Sequence, residues 1–159
     1  MYNTAQDLLD AQRATPEVLE ALLDGCTQEQ ATAARGGDEG WSVVEVVCHL
    51  RDAEEEALSR MRLMRDNIAP VIAAYDQERW AREYNYAQAS LQDALAAFTR
   101  FRTQHVNELV QLSPQEWEHS GQHEEQGTIT ISSHTLHIVS HDAIHAAQIA
   151  RQLKNVVLP

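Results

Sequence analysis

Two histidines one helical turn apart are the residues of this chain best suited to chemistry. His141 and His145 fall in a segment whose pattern predicts a helix from about Ile131 to Lys154. A spacing of four places both imidazoles on one face, where their ring nitrogens can bind the same metal ion. His49, on another amphipathic segment far upstream, is the natural third ligand. Three neutral imidazoles would leave coordination positions open for water or substrate, as in reactive metal sites.

The predicted helical face that carries His49 is also acidic. Glu45, Asp52 and Glu56 flank His49 at one-turn steps, and Arg60 lies one turn beyond Glu56. If this face meets the C-terminal helix, the acids surround the imidazoles. They could then orient the histidine N–H groups, act as a general base or supply a further ligand. We therefore take Glu45, Asp52 and Glu56 as the candidate catalytic residues.

The other histidines are expected to have structural or surface roles. His134 and His137 extend the histidine-bearing face of the last helix, and we interpret them as helix-entry or surface residues. His105 interrupts an apolar stripe, which is typical of an interior histidine with a hydrogen-bond partner. His119 and His123 fall in a polar loop and are expected to be solvated. The acidic runs 54–56 and 124–125 are expected to be solvated too, apart from Glu56.

The last helix has an apolar face opposite its histidines. At about 100° per residue that face carries Leu136, Val139, Ala143, Ala147 and Ala150. The pattern predicts burial on both sides, and buried histidines need partners. A structural polar core without any metal is therefore the alternative interpretation of these histidines.

Composition restricts the class of protein. With 159 residues, the chain predicts one domain over residues 1–159. A net charge of −12 argues against binding nucleic acid or an anionic membrane surface. Cys26 and Cys48 fit no metal or redox spacing, so a reducing compartment is expected. The absence of a leader pattern in residues 1–10 and of a long apolar run predicts a cytoplasmic protein.

Four long helical patterns predict the fold. They cover about residues 4–23, 42–65, 88–111 and 131–154. A long linker, residues 66–86, separates the second from the third and could hold a short helix. No useful strand pattern and no internal repeat is found. This organisation predicts an all-α four-helix bundle.

Local signals mark several boundaries of these helices. Thr15-Pro16 either kinks the first helix or begins a new one. Ser42, followed three residues later by Glu45, is a capping box for the second helix. Thr130 or Ser132 is the expected cap of the fourth.

Two other metal-binding classes fit the motif poorly. Zincin proteases use His-Glu-x-x-His and usually take their third ligand downstream, but no histidine, acid or cysteine follows His145. A ferritin-like di-iron site needs Glu-x-x-His pairs on separate helices. Neither His49 nor His141 has a glutamate three residues before it.

At these residues the chain resembles the DinB/YfiT-like superfamily of metal-dependent helical bundles. Residues 40–54, GWSVVEVVCHLRDAE, are similar to the family pattern W-[ST]-x-x-E-[VL]-x-x-H-L-x-D-x-E. Residues 127–130, GTIT, and 141–149, HDAIHAAQI, resemble G-x-[LI]-T and H-D-x-x-H-x-x-Q-[IL]. Residues 75–80 in the linker also look like family sequence, so the resemblance covers essentially the whole chain. Many members have a histidine just before the last ligand, where this chain has Ile144, a position that faces away from the expected site.

The resemblance implies a four-helix bundle, often a homodimer. It also implies a divalent transition metal, Ni, Zn, Fe or Mn, held by His49, His141 and His145. Characterised relatives include S-transferases that use bacillithiol or mycothiol. The leading hypothesis is therefore a metal-dependent S-transferase acting on a small molecule, with a low-molecular-weight thiol as cosubstrate. Arg60, Tyr75 and Trp80 could contact the substrate.

Two alternatives remain open at this point. A metal-dependent hydrolase would use bound water as its nucleophile, and its turnover would not depend on thiol. A non-catalytic, stress-related binding or scaffold bundle would use the histidines as structural groups. Metal content separates this last hypothesis from the other two.

Overall fold

A computed structural model describes residues 4–37 and 40–155 of the chain. The helices are α1 (Ala5–Leu23), α2 (Gln28–Ala33), α3 (Val43–Asp66), α4 (Gln77–Glu83), α5 (Leu91–Leu109) and α6 (Ile131–Leu153). The strands are β1 (Arg35–Gly36), β2 (Trp41–Ser42), β3 (Val71–Ile72), β4 (Ser120–His123) and β5 (Gly127–Thr130). Single 3-10 turns cover Tyr86–Gln88 and Glu116–Glu118.

The four long helices α1, α3, α5 and α6 form the bundle that the sequence predicted. Helix α3 packs against α5 and α6, and α1 packs against the same two helices. Helices α1 and α3 are therefore diagonal to each other, although they are consecutive long helices in the chain. The capping box of Ser42 and Glu45 is confirmed, and Thr130 is the N-cap of α6.

Pro16 lies inside α1 and does not break it. A proline has no N–H to donate to the carbonyl four residues earlier, which here belongs to Gln12. The Gln12 carbonyl instead accepts a hydrogen bond of 3.1 Å from the Arg102 guanidinium of α5. The buried acceptor is thereby satisfied. Helix α1 continues through Thr15 and Pro16, so the possibility that a new helix begins at Thr15 is wrong.

The sequence predicted a polar loop around His119 and His123 and no strands, and both predictions were wrong. Strands β4 and β5 form an antiparallel hairpin, and β3 from the linker pairs with β4 in parallel. These strands have two to four residues each. A polar strand of that length has too few alternating positions to produce a recognisable pattern. The linker also contains α4, as the sequence suggested.

Two apolar clusters fill the bundle, one toward each end. One contains Leu19, Val46, Phe98 and Ile149, and the other contains Leu8, Leu58, Leu109 and Ile131. Several buried polar side chains come from positions between them along the same helices: Gln12, His49, Glu54, Arg102, His105 and Asp142. A polar layer therefore separates the two apolar clusters and contains the predicted metal ligands.

The prediction that both faces of α6 are buried is wrong for one of them. The face with His134, Ile138 and Gln148 is buried, but Leu136 on the other side is 44% exposed. Periodicity shows that a helix has two faces of different character. It does not show whether a neighbouring helix covers the second one.

Candidate metal centre

Helices α3 and α6 bring the three predicted ligands together. One ligand atom from each of His49, His141 and His145 can be chosen so that all three lie within 4.8 Å of one another. The ring centroids of His141 and His145 are 4.4 Å apart, and that of His49 is 4.9 Å and 4.8 Å from them. Within the described part of the chain this is the one such group of three or more metal-binding side chains.

The hydrogen bonds of the three histidines indicate which ring nitrogens could bind a metal ion. The Nδ1 atom of His145 lies 2.8 Å from Oε1 of Gln148, so Nδ1–H donates and Nε2 keeps its lone pair. The Nε2 atoms of His49 and His141 lie 2.8 Å apart. One of these two must carry a hydrogen in that contact, and a bound ion would take its place.

Desolvation lowers the pKa of two of the three imidazoles, those of His49 and His141. His49 is 2% exposed, and desolvation, followed by the proximity of His145, lowers its pKa to about 3. Burial and the neighbouring histidines lower the pKa of His141 to about 2. Both rings therefore offer lone pairs at neutral pH, as metal ligation requires.

The three histidines fit a divalent transition metal. Zinc–imidazole bonds are about 2.0–2.1 Å long, so nitrogens within a few ångströms of one another can close around one ion. The 2.8 Å contact between Nε2 of His49 and Nε2 of His141 is shorter than the roughly 3.3 Å between two imidazole nitrogens on a tetrahedral zinc ion, so these two rings would have to separate on binding. Gln148 supplies the hydrogen-bonded support that metal-binding histidines commonly have. Sequence reasoning placed Gln148 on this face but gave it no role.

Two of the three candidate catalytic acids, Glu45 and Asp52, have partners other than the imidazoles. Glu45 accepts from the backbone N–H of Ser42 at 2.8 Å and also pairs with Arg35. Asp52 accepts from the hydroxyl of Tyr86 and pairs with Arg51. Among the described residues, neither acid forms a hydrogen bond with the three imidazoles.

Glu56 has a different position. Its carboxylate accepts from Nε of Arg60 at 3.0 Å, and it lines a pocket that reaches His141. Of the three acids, Glu56 therefore shares open space with the histidine cluster. A catalytic role for Glu45, Asp52 or Glu56 stays a prediction.

A buried ion network lies next to the centre, and sequence reasoning missed it. Arg102 bonds Oε2 of Glu54 at 2.7 Å and Oδ2 of Asp142 at 2.8 Å. The other oxygen of Glu54 lies 2.9 Å from Nδ1 of His105, which confirms His105 as an interior histidine with a partner. Glu54 is 1% exposed, so its assignment to a solvated acidic run was wrong. One available signal was the lone arginine on the apolar stripe of α5.

Two further histidine assignments were wrong. His134 is 6% exposed, not a surface residue, and desolvation by burial lowers its pKa to about 3. His123 is buried in β4, where its Nδ1 accepts from the backbone N–H groups of Glu125 and Gln126. His119 and His137 are exposed, as expected. Ile144 is exposed as well, which confirms that it faces away from the centre.

A pocket of about 270 Å³ extends from His141 between α3 and α6. The linker and the β4–β5 hairpin cover it. Its lining consists of Ala53, Glu56, Ala57, Arg60, Ala74, Tyr75, Gln77, His123, Glu125, Gln126, His134, His137, Ile138 and His141. Arg60 and Tyr75, both suggested from the sequence as substrate contacts, lie in this lining. Trp80, the third, lines a separate cleft between α3 and α5.

A family model described as the DinB superfamily matches residues 11–149. The chain belongs to the DinB superfamily. A protein of Oceanobacillus iheyensis named "Putative metal-dependent hydrolase OB0782" is 30% identical over 140 residues, which cover 87% of this chain and 80% of that protein. Another, from Bacillus mycoides and named "Putative metal-dependent hydrolase BcerKBAB4_2443", is 27% identical and covers 78% of this chain and 76% of its own length.

The fold also matches that of a solved structure. YfiT from Bacillus subtilis superposes with a TM-score of 0.88 at 22% identity, covering 95% of this chain and 86% of YfiT. It is described as "a probable metal-dependent hydrolase with an unusual four-helix bundle topology". The diagonal placement of α1 and α3 belongs to the fold that this likeness shows. No helix in the described ranges has the length and apolar character needed to cross a membrane.

Proposed function

We propose that this DinB-superfamily protein is an enzyme that holds one divalent transition metal through His49, His141 and His145. The observation that carries the proposal is the convergence of three imidazoles, that of His49 buried and those of His141 and His145 partly buried, whose ligand atoms lie within 4.8 Å of one another. Imidazole ligands suit nickel, zinc and iron, whereas manganese usually prefers oxygen ligands, so the first three ions fit this site better. The pocket beside His141 gives a small molecule access to this centre.

The reaction that we propose is transfer of a low-molecular-weight thiol to an electrophile. A bound divalent ion would lower the pKa of a thiol at its open position, so that thiolate is present at neutral pH. The sulfur then forms a bond to an electrophilic carbon, and the leaving group departs with the electrons of its own bond. The thiol proton passes to solvent.

The disposition of the acids supports thiol transfer. Asp52 and Glu45 are held by Tyr86 and by the α3 N-terminus, and neither bonds the histidine cluster. A water nucleophile usually benefits from a carboxylate that accepts its second proton and delivers it to the leaving group. A thiolate has no second proton, so it needs no such base.

Hydrolysis is the second candidate, and the names of the relatives favour it. The proteins from Oceanobacillus iheyensis and Bacillus mycoides both carry the name "Putative metal-dependent hydrolase". Glu56 lines the same pocket as His141, and we propose it as the base in that reaction. Turnover that is independent of added thiol would support hydrolysis.

Elemental analysis tests the metal centre first. Untagged protein should contain about one equivalent of a transition metal after reconstitution, and a variant with His49, His141 and His145 all changed to alanine should contain none. His119→Ala, a change of an exposed histidine, is the matched control and should keep its metal. If the unaltered protein contained no metal after reconstitution with each of nickel, zinc, iron and manganese, the proposal would be contradicted.

Thiol dependence then separates the two reactions. The metal-loaded protein is mixed with 1-chloro-2,4-dinitrobenzene, a chromogenic electrophile, with and without cysteine as the simplest thiol. We expect thioether formation that depends on metal and is lost in the triple variant. Metal-dependent hydrolysis of 4-nitrophenyl acetate with no thiol requirement would instead favour the hydrolase.

A further inference from the structure

The pocket beside the centre has a guanidinium with an unused donor at its far end. Arg60 is buried, and its Nε donates to Glu56 at 3.0 Å while Nη2 donates to the carbonyl of Ala73 at 2.7 Å. Its third nitrogen, Nη1, has no acceptor among the described residues. The guanidinium lies over the ring of Tyr75, 5.4 Å from its centroid. These contacts fix the orientation of a permanent cation in the pocket lining.

A second donor in the lining is set by the backbone. Nδ1 of His123 accepts from the N–H groups of Glu125 at 3.2 Å and Gln126 at 3.3 Å. An accepting Nδ1 fixes the tautomer of a neutral imidazole, so Nε2 carries the hydrogen. No described residue accepts a hydrogen bond from that Nε2–H. His123 thus presents a fixed donor in the same lining as Arg60.

A third group in the lining is the hydroxyl of Tyr75, which also has no hydrogen-bond partner among the described residues. Burial raises the pKa of Tyr75, so the hydroxyl stays protonated and able to donate. The acids of the lining do not satisfy these donors. Glu56 is bound to Nε of Arg60, and Glu125 is an exposed residue of the hairpin turn. The pocket therefore has a surplus of hydrogen-bond donors.

We infer that this pocket binds the carboxylate of an elongated substrate, with Arg60, His123 and Tyr75 as its partners. A carboxylate has two oxygens that accept hydrogen bonds and a charge opposite to that of Arg60. The inference rests on the proposed function, because the other end of the same molecule lies at the histidine centre.

The helices give the length of that substrate. His134 and His141 both line the pocket and are seven residues apart on α6, a rise of about 10 Å at 1.5 Å per residue. Arg60 is eleven residues beyond His49 on α3, a rise of about 16 Å, and its long side chain points back toward the helix N-terminus. The carboxylate site therefore lies roughly 10 Å from the centre by these helical rises. A straight chain of several carbon atoms spans that distance.

Calorimetric titration of the zinc-loaded protein tests the inference. The probes are monohydroxamates of straight-chain dicarboxylic acids with two, four, six or eight methylene groups, because a hydroxamate binds zinc whichever nucleophile the enzyme uses. For each length the neutral control has a terminal carboxamide, and a phosphonate replaces the carboxylate in a further arm. We expect the carboxylate to bind at least about ten-fold more tightly than the amide at six or eight methylenes, as one charge-assisted hydrogen bond provides.

Variants then assign the preference to Arg60. Arg60→Gln should bring the carboxylate-to-amide ratio close to one, Arg60→Lys should retain part of it, and Tyr75→Phe should reduce it a few-fold. Arg100→Gln, which changes an exposed arginine of α5, is the matched control and should keep the full ratio. Thermal melting and zinc content of every variant show whether its fold and its metal centre are intact. If Arg60→Gln does not fold, Tyr75→Phe and Arg60→Lys still test the site.

The outcomes separate this inference from the proposed function. Full zinc occupancy with equal affinities for carboxylate and carboxamide at every length would overturn the inference and leave the metal centre standing. A preference that survives in Arg60→Gln would overturn it as well. If the phosphonate bound more tightly than the carboxylate, the inferred carboxylate ligand would be wrong, and the pocket would bind a phosphate-like group. A protein that binds no zinc and no probe would remove the proposed function and this inference together.

Discussion

Replacement of Arg102 by methionine should destabilise this protein more than any other single loss of charge. The guanidinium is 1% exposed and donates to Glu54 at 2.7 Å, to Asp142 at 2.8 Å and to the Gln12 carbonyl at 3.1 Å. Methionine has a similar unbranched shape but no donor and no charge. The change therefore removes electrostatic partners and leaves the packing of α5 largely filled.

The expected loss of unfolding free energy follows from the buried groups that lose Arg102 as a partner. Two buried carboxylates lose their cation, and one carbonyl loses its donor. Removing one partner from a buried ion pair costs about 3–5 kcal/mol. Glu54 keeps His105, and Asp142 keeps the hydroxyl of Thr15 at 3.1 Å, so we expect a loss within that range and no more. The total free energy of unfolding of a natural domain is only about 5–15 kcal/mol.

The loss should depend on pH. Burial by itself raises the pKa of Glu54, but Arg102 and His105 outweigh it and hold the value at about 2. Burial raises the pKa of Asp142 despite Arg102. Without the arginine both carboxyls titrate higher. A carboxyl whose folded pKa exceeds its unfolded value destabilises the protein above the unfolded pKa, and this penalty disappears as protons bind. The deficit of the variant should therefore shrink between pH 7 and pH 4.

Urea unfolding of the metal-free protein, followed by circular dichroism at both pH values, measures the deficit. Arg62→Met is the matched control, since Arg62 bonds Glu108 in a pair that is partly exposed, and exposed pairs contribute about 0–1 kcal/mol. The double change Arg102→Met with Asp142→Asn should recover part of the loss. A deficit no larger than that of Arg62→Met, or one that does not change with pH, would refute the reasoning.

Three further predictions concern the histidines and the linker. Gln148→Leu should weaken zinc binding about 10- to 100-fold in competition titrations, because His145 loses its supporting acceptor; unchanged affinity would show that Gln148 has no such role. Burial lowers the pKa of His134 to about 3, so the unfolded chain binds a proton at this residue more readily than the folded protein does. The free energy of unfolding should therefore fall as the pH drops below about 6.5. His134→Leu should flatten this slope by about 1.4 kcal/mol per pH unit in urea titrations of the metal-free protein, and an unchanged slope would count against it. Tyr86→Phe should cost about 1–3 kcal/mol of unfolding free energy, because buried Asp52 loses its hydroxyl donor; a loss below the error of the measurement would contradict the assignment.

The local features of the long helices could be predicted because they depend on neighbouring residues. Ser42 and Glu45 form their capping box within four residues, and Thr130 caps α6 through Ser133. His141 and His145 share a face because the helical repeat requires it. The third ligand, His49, came from its place on an acidic amphipathic face and from family resemblance.

Contacts between distant parts of the chain could not be predicted. Glu54 stands in a run of three glutamates, and only the packing of α5 and α6 around it brings Arg102 and His105 to its two oxygens. His123 lies in a polar stretch whose strand pairing depends on β3, some fifty residues earlier. The residues next to Glu54 and His123 in the chain therefore do not show these contacts.

The sequence by itself determined the number of long helices, their caps and the pair of imidazoles on α6, since each follows from periodicity and from bonds within a few residues. Only the tertiary structure decided which helices are neighbours, and with that the meeting of His49 with His141 and His145. It also decided that Asp52 and Glu45 are bound elsewhere while Glu56 and Arg60 share the pocket. The physical reason is that the charge partners and hydrogen-bond partners of a buried side chain come from segments far away in the chain.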